Sequence, residues 1–459
     1  MSINNKFLRL QQQNIRNHVK KSDLNTFFSL LDTPDLLLPF DDFQPNQRNR
    51  LYPTSVTLSM YLMQTLSADC SCQNIVNIAA INRMNAGLPS GSILTGGYCR
   101  ARHRLPIKIV SSLVHKTAHL TENLIPKRWR WQGKRVHLID GTTLTMPDTK
   151  ENQAIYPQQA AQKPGLGFPV CRVVGVICLA SGTILNAAIG AYKGKGASEQ
   201  ALLRQLLATF NAGDLVVGDA MYGSYFLLCA LLDKGVDMVF EQMGGRKNSV
   251  DFNKGESLGI NDHLISFTKP KDRPHWMTEA EYKKQPDSLL IREVAVDGKI
   301  LITNKLSPID TPKAALKALY KKRWNIEVDL RNIKSTLGMA ILRCKTPAMN
   351  QKEIWVYFLA YNLIRLLMVQ AALHIDLLPR QLSFKHSLQL GLAFVNHYEP
   401  NQNKITLLDL IGQRIVGNRP GRIEPRAIKR RPKSYPLLMK ARPLAQQEVR
   451  QNGHPKKLK

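Results

Sequence analysis

The chain has 459 residues, of which 44% are hydrophobic, so it is long and apolar enough to build two or three folded domains. It carries 64 lysines and arginines against 34 acidic residues, which leaves a formal net charge of +30. Such an excess predicts a nucleic-acid partner, because every phosphate that a basic side chain neutralises releases condensed counterions. The apolar content excludes a disordered basic protein. A ribosome-associated or membrane-surface protein is the alternative.

Two features argue against a membrane location. The first residues, MSINNKFLRLQQQNIRNHVKK, are polar and lack the apolar segment of a secretory signal. The longest apolar stretch, IWVYFLAYNLIRLLMVQAAL, is interrupted near its middle by Asn362 and Arg365, which predicts a buried core helix. We therefore expect a cytoplasmic chain with no membrane partner. The seven cysteines form neither a disulfide framework nor a paired zinc motif, so we expect reduced thiols.

The hydrophobic pattern divides the chain into regions in order. Residues 1–130 show helical periodicity, for example in SVTLSMYLMQTLS and IKIVSSLVHKTAHLTENLI, and predict an all-α N-terminal domain. From residue 131 the pattern changes to short runs rich in valine and isoleucine, such as RVHLIDGTTLTM and PVCRVVGVICLA, with amphipathic helices between later runs. This order predicts a mixed α/β domain over residues 131–375.

Two further segments have a distinct composition. Residues from about 243 to 310 are polar, with strand-like pieces LISFT, LLIREVAV and KILITN, and are too long for a plain loop. We predict a β-rich insertion there. Residues 376–459 predict a C-terminal helical segment followed by a basic tail, since the final 41 residues contain 13 lysines and arginines and two acids. The tail is typical of non-specific phosphate contact, or of a solvated extension.

Two aspartates stand at the ends of apolar, strand-like runs. Asp140 follows VHLI and Asp219 follows DLVVG. Asp140 alone is explained equally well by a turn, because Asp-Gly after a strand is a common turn signal, and the same caution applies to Asp219. Both together within one α/β sheet favour a site, since ligand sites tend to form at the carboxyl ends of strands.

A third group of polar residues lies downstream in TPKAALKALYKKRWNIEVDLRNIKSTLGM, which predicts one continuous helix. At about 100° per residue, four side chains of this helix fall within roughly 60° of one another. They are Tyr320, Arg323, Glu327 and Lys334. Glu327 supplies a third carboxylate for the two aspartates, and three acids on separate elements suit two Mg²⁺ or Mn²⁺ ions. The pattern predicts metal-dependent phosphoryl transfer.

These residues resemble a known family. The spacing of Tyr320, Arg323, Glu327 and Lys334 matches the YREK signature of DDE transposases of the insertion-sequence-four family. DGTTLTMPDT and GDAMY look like the two aspartate motifs of that family, and GKGASEQALLRQLL is similar to its stretch before the second aspartate. The resemblance covers residues from about 130 to 375.

The resemblance implies an RNase H-like catalytic domain with a β-rich insertion, preceded by helices that read DNA. By position, Asp140, Asp219 and Glu327 would be the catalytic and metal-binding triad. Tyr320, Arg323 and Lys334 would bind the DNA phosphates.

The implied activity is hydrolysis at the terminal inverted repeats of an insertion sequence, followed by joining of the 3′-OH ends to target DNA. It implies two Mg²⁺ or Mn²⁺ ions, a homodimer in the synaptic complex and no need for ATP, because transesterification conserves phosphodiester bonds. The protein would work on the nucleoid. Two alternatives stay open at this point: a catalytically inactive DNA-binding regulator derived from a transposase, and a host RNase H-like nuclease.

Overall fold

A nine-stranded sheet with helices on both faces organises the part of the chain that the structure describes. The computed structural model describes residues 51–85, 87–194, 196–396, 404–417 and 441–453. The strands are β1 Val136–Thr145, β2 Val170–Cys178, β3 Ile184–Ala191, β4 Leu215–Gly218, β5 Asp237–Glu241, β6 Glu256–Gly259, β7 Asp262–Thr268, β8 Ser288–Val296 and β9 Lys299–Thr303. Their order in the sheet is β3-β2-β1-β4-β5-β9-β8-β7-β6. The mixed α/β prediction is confirmed.

Helices precede, separate and follow these strands. Before the sheet come α1 Thr54–Leu66, α2 Cys72–Asn85, α3 Gly96–Arg104 and α4 Ile107–Leu124. Between strands lie α5 Lys150–Ile155, α6 Glu199–Gln205, α7 Tyr225–Leu232, α8 Gly244–Lys247 and α9 Glu279–Lys284. After the sheet come α10 Lys313–Lys321, α11 Trp324–Arg331, α12 Pro347–His374, α13 Phe384–Asn396, α14 Lys404–Gly412 and α15 Arg442–Asn452. A π-helical turn, Asn332–Thr336, continues α11.

The centre of the sheet is parallel and both flanks are antiparallel. β1, β4 and β5 run parallel, whereas β2 and β3 form an antiparallel hairpin on one side. On the other side β9 pairs antiparallel with β5, so the segment predicted as an insertion carries β6 to β9 and widens the same sheet. The hairpin turn places Gly182 at a φ of 78°, which suits a residue without Cβ.

Alternating residues of the central strands pack into two separate cores. Leu138 and Val217 point into the larger core with α4 and α12, while Ile139 and Val216 point into the second core with α6 and α7. This period of two is the pattern expected for a sheet covered on both faces. Because α4 contributes to the larger core, residues on both sides of the predicted boundary at residue 130 pack together. Residues 1–50 of the predicted N-terminal domain and most of the predicted basic tail lie outside the described ranges.

The helix α12 passes through the larger core and explains the polar residues in the apolar stretch. Among the described helices it alone has the length and hydropathy of a membrane span, yet 89% of its most apolar window is buried in the protein. Asn362 accepts a hydrogen bond from the Ile184 N–H at 2.9 Å and donates to the Ile184 carbonyl, so it pairs with the edge of β3. Arg365 pairs with Asp329 of α11. The predicted core helix is confirmed.

Candidate active site

The three parallel strands bring three acidic residues to the same level of the sheet. Leu138 of β1 pairs with Val217 of β4, and Gly218 pairs with Phe240 of β5. Continuing this register places Asp140, Asp219 and Glu241 side by side. Glu241 was not identified from the sequence. Its segment VFEQM reads as an ordinary strand end, and only the pairing of β5 with β4 shows where its carboxylate lies.

Asp140 does not end its strand, contrary to the sequence prediction. β1 continues to Thr145 because β2 offers antiparallel partners up to that residue, although the parallel pairing with β4 stops at Leu138. Asp219 directly follows β4, and its Oδ1 accepts the Met221 N–H at 2.9 Å, which caps a short 3₁₀ turn. The predicted turn role and the predicted site role are therefore compatible for Asp219.

Both aspartates keep one carboxylate oxygen available. Asp140 Oδ1 accepts the Gly141 N–H at 2.7 Å, and among the described residues neither its second oxygen nor that of Asp219 has a hydrogen-bond donor. Burial raises the pKa of Asp140 to about 6, the Gly141 N–H opposes the rise, and the Asp219 carboxylate adds to it. Two adjacent carboxylates with free oxygens, one of them partly desolvated, are suited to a hard divalent cation.

The segment with the four signature residues is not one continuous helix. It divides into α10 and α11, with a tighter turn at Lys322 and Arg323 where N–H groups bond to carbonyls three residues back. The backbone stays right-handed through the turn, so the chain changes direction only locally. All residues there are compatible with a helix, which is why the sequence pattern gives no sign of the break.

All four signature side chains contact the sheet or one another. The Tyr320 hydroxyl donates to Glu241 Oε2 at 3.2 Å, and Lys334 Nζ donates to Thr142 Oγ1 at 2.9 Å. Arg323 Nη2 donates to Glu327 Oε1 at 2.8 Å. Burial lowers the pKa of Arg323, but the Glu327 hydrogen bond and the surrounding negative charge, Asp140 included, outweigh burial and leave the pKa above its ordinary value. Arg323 therefore lies within the field of Asp140 while it holds Glu327.

The described acidic side chains do not lie close enough together to coordinate a metal ion in this conformation. Within the described ranges, no group of three acidic, histidine or cysteine side chains is close enough to hold a metal ion. The ion pair between Glu327 and Arg323 occupies the third carboxylate of the predicted triad. The donor set still fits Mg²⁺ or Mn²⁺ chemically, because Asp140 and Asp219 present carboxylate oxygens and Glu327 is one-third exposed, with a side-chain exposure of 35%.

Glu241 is embedded in positive charge. Its Oε2 accepts from Lys299 Nζ at 2.6 Å, and its Oε1 lies 3.7 Å from Lys247 Nζ. Burial acts to raise the pKa of Glu241, yet Lys299, Tyr320 and Lys247 together hold the pKa below its ordinary value. This carboxylate is committed to the lysines and the phenol, so it differs in role from the two aspartates beside it.

Comparison with known proteins shows the family of the chain. The family model described as "Transposase DDE domain" matches residues 131–363. The transposase InsG for insertion sequence element IS4 of Escherichia coli (strain K12) is 31% identical over 375 residues, which span 78% of this chain and 82% of that protein. The chain belongs to the IS4 family of DDE transposases. It is an insertion-sequence transposase, as the signature spacing implies.

A solved structure also aligns with this transposase. The piggyBac transposase, in a synaptic complex with hairpin DNA, covers 87% of this chain and 86% of its own, with 10% sequence identity and a TM-score of 0.43. The family assignment rests on the family model and on the InsG sequence.

Proposed function

We propose that this transposase binds the terminal inverted repeats of its element, hydrolyses the ends with Asp140, Asp219 and Glu327, and joins the 3′-OH ends to target DNA. The observation that carries the proposal is the convergence of Asp140, Asp219 and the signature segment at one level of the central sheet. The strand order β3-β2-β1-β4-β5, with β2 antiparallel to its neighbours, supports an RNase H-like fold for this part.

Asp140, Asp219 and Glu327 would hold Mg²⁺ or Mn²⁺, two ions in all. When bound, two such ions activate a water molecule and stabilise the departing oxygen at phosphorus. To bind a metal ion, Glu327 has to give up its ion pair with Arg323. The same change frees the Arg323 guanidinium, whose planar fork matches two phosphate oxygens. A DNA phosphate is the group that would balance the charge of Arg323 once Glu327 turns to the metal.

The other signature residues would fix the DNA backbone. Tyr320 can offer one hydrogen bond, and Lys334 a mobile point charge held near β1 by Thr142. Sequence-specific reading of the inverted repeats would fall to N-terminal helices within residues 1–130, because base readout needs an element in a groove. We further propose a homodimer in the synaptic complex, target DNA as second substrate, no ATP and a cytoplasmic, nucleoid-bound location.

The test is Mg²⁺-dependent cleavage of a labelled fragment that carries the end of the element. Wild type is compared with Asp219→Asn, and with Asp310→Asn as a matched control, since Asp310 is exposed on a loop. Cleavage at the element end by wild type and the control, with binding but no cleavage by Asp219→Asn, is expected. Binding without cleavage by wild type in Mg²⁺ or Mn²⁺ would favour an inactive regulator. Cleavage without end specificity or joining would favour a nuclease.

A further inference from the structure

A further acidic side chain, that of Glu199, approaches the two aspartates from the opposite face of the sheet. Glu199 is the first residue of α6, which is capped by Ser198. Asp140 points to the face with Leu138, whereas the Glu199 carboxylate lies directly behind the next residue, Gly141. A Cβ built on Gly141 would come within 2.3 Å of Glu199 Cδ and within 2.7 Å of both oxygens. Only glycine at this position lets the carboxylate approach the backbone of β1.

The same carboxylate is tied to the turn that carries Asp219. The Tyr222 hydroxyl donates to Glu199 Oε2 at 3.1 Å, and Tyr222 ends the 3₁₀ turn that Asp219 caps. The neighbouring Gln200 donates to the Met221 carbonyl and accepts from the Ser224 hydroxyl at 2.9 Å. Two consecutive residues of α6 thus hold the turn from Asp219 to Ser224 against the back of β1.

The negative charge of Glu199 is only weakly balanced. Among the described residues its ion-pair partner is Arg172, whose Nε lies 3.8 Å from Glu199 Oε1, and this guanidinium also donates to the Ala197 carbonyl and lies over the Tyr192 ring. Glu199 is 21% exposed in its side chain, so solvent screens it incompletely. A partly desolvated carboxylate in this place keeps a negative field at the two aspartates.

We propose that Glu199 is a positioning residue of the transposase: it fixes the Asp219 turn against β1 and strengthens cation binding at Asp140 and Asp219 from behind. This inference rests on the proposed function of the two aspartates. A carboxylate is required rather than any polar group, because an amide oxygen could also accept from Tyr222 but only a carboxylate brings a negative charge close to the cation. Glu199 itself touches neither the DNA nor the reacting atoms.

The first test measures Mn²⁺ binding to the complex of protein and end DNA by the electron-paramagnetic-resonance signal of free Mn²⁺, beside single-turnover cleavage. Glu199→Gln keeps the size and an acceptor oxygen for Tyr222 but removes the charge. We expect an Mn²⁺ dissociation constant raised about five- to tenfold. We expect slower cleavage that recovers at high metal concentration, and a dissociation constant for end DNA within about twofold of wild type. Glu256→Gln, an exposed glutamate on edge strand β6, is the matched control and should bind Mn²⁺ as wild type does.

The second test uses the close approach at Gly141. Gly141→Ala must displace the carboxylate and should weaken Mn²⁺ binding as Glu199→Gln does. The double variant Gly141→Ala with Glu199→Ala removes the clash, so it should unfold at a higher temperature than Gly141→Ala alone while its Mn²⁺ affinity stays low. If Glu199 mattered only for packing, the double variant would regain both the unfolding temperature and the Mn²⁺ affinity, so this test separates positioning from packing.

Unchanged Mn²⁺ affinity and cleavage in Glu199→Gln, with wild type active, would overturn this inference and leave the proposed function intact. A lowered unfolding temperature in Glu199→Gln with unchanged Mn²⁺ affinity would show a purely structural residue and overturn it as well. If wild type neither binds Mn²⁺ nor cleaves end DNA, the proposed function fails and this inference fails with it.

Discussion

Tyr320 of the signature segment donates its phenolic hydrogen bond to Glu241, at the end of the third parallel strand, over 3.2 Å. Glu241 also holds Lys299 and Lys247, so one carboxylate neutralises two cations next to the proposed DNA-binding face. A phenol has one proton to donate. Tyr320 must therefore leave Glu241 before it can donate to a phosphate, and Glu241 restrains DNA binding at this position.

Glu241→Gln should tighten non-specific DNA binding. Removal of the carboxylate frees Lys299 and Lys247 for phosphates, and each new contact steepens the slope of log K against log salt by about 0.9. We expect a slope steeper by about 1–2, measured by fluorescence anisotropy on random-sequence duplex over a salt series. Glu279→Gln is the matched control, since Glu279 also contacts two cations, Arg273 and Lys283, but on α9. Equal slopes for Glu241→Gln and wild type would contradict the restraint.

Asp140→Asn should stabilise the metal-free protein at neutral and alkaline pH. Burial raises the pKa of Asp140 to about 6, above the value of about 3.9 expected in the unfolded chain. A group whose pKa is higher in the folded protein contributes stability that is fully present below about pH 3.9 and is lost as the pH rises through about 6. At about pH 8 the charged carboxylate therefore lowers the free energy of unfolding by about 1–2 kcal/mol, a value that is reduced to allow for its partial exposure.

Thermal unfolding in EDTA at about pH 5 and about pH 8 measures this effect. The stabilisation by Asp140→Asn should be clear at the higher pH and shrink at the lower one, while Asp310→Asn should change neither midpoint. Added Mg²⁺ should raise the midpoint of wild type more than that of Asp140→Asn, because only wild type keeps the charged ligand. A variant that is less stable than wild type at the higher pH would show that burial of the charge is not costly here.

Local patterns were enough to find part of the site. Asp140 and Asp219 stand out because short apolar runs precede them, and the four signature residues because their spacing is fixed within one segment. Glu241 could not be found in this way. Its place follows from the pairing of β5 with β4, and the two lysines around it come from α8 and β9, so its role depends on contacts distant in the sequence.

The shape of the sheet was predictable only in outline. Strand-like pieces between residues 243 and 310 were visible, but the pairing of β9 with β5, which joins them to the central sheet, is a long-range contact without a local signal. The break between α10 and α11 was missed because no proline or glycine marks it. Asn362 and Arg365 in the apolar stretch predict a core helix, which is confirmed, yet their partners Ile184 and Asp329 are visible only in the fold.

Asp329→Ala should destabilise the transposase strongly. Asp329 is fully buried on the side of α11 that faces α12, and it accepts from Arg365, from Tyr361 at 3.0 Å and from Arg380 at 2.9 Å. Removal of this carboxylate leaves the buried guanidinium of Arg365 and the partly buried one of Arg380 without their counter-charge. We expect a loss of about 3–5 kcal/mol in the free energy of unfolding, measured by denaturant titration.

The companion variants separate charge from packing. Asp329→Ala with Arg365→Met removes both partners of the shortest pair and should regain part of the lost stability, because an apolar replacement of a buried ion pair is often tolerated. Asp310→Ala, on the surface, should stay within about 0.5 kcal/mol of wild type. If Asp329→Ala were as stable as the Asp310 control, the buried cluster would not be what anchors α11, and with it Glu327, to α12.

Thr142→Val should slow cleavage without weakening DNA binding. Thr142 lies on β1 two residues after Asp140, and its hydroxyl accepts from Lys334 Nζ at 2.9 Å. Burial lowers the pKa of Lys334 because it removes water from around the ammonium group. The ammonium group therefore depends on the Thr142 hydroxyl as a hydrogen-bond acceptor to stay in place. Valine keeps the shape and the strand preference but removes the acceptor. Loss of about 1 kcal/mol of orienting hydrogen bond predicts cleavage slower by about three- to tenfold.

Single-turnover cleavage of the end fragment and its dissociation constant measure the two effects separately. Thr143→Val is the matched control, since Thr143 is the next residue of the same strand and points to the opposite face. Thr142→Ser, which keeps the hydroxyl, should restore most of the rate. Cleavage by Thr142→Val at the wild-type rate would mean that Lys334 reaches the DNA without help from β1, and a weakened dissociation constant would mean that Thr142 supports binding rather than the orientation of Lys334.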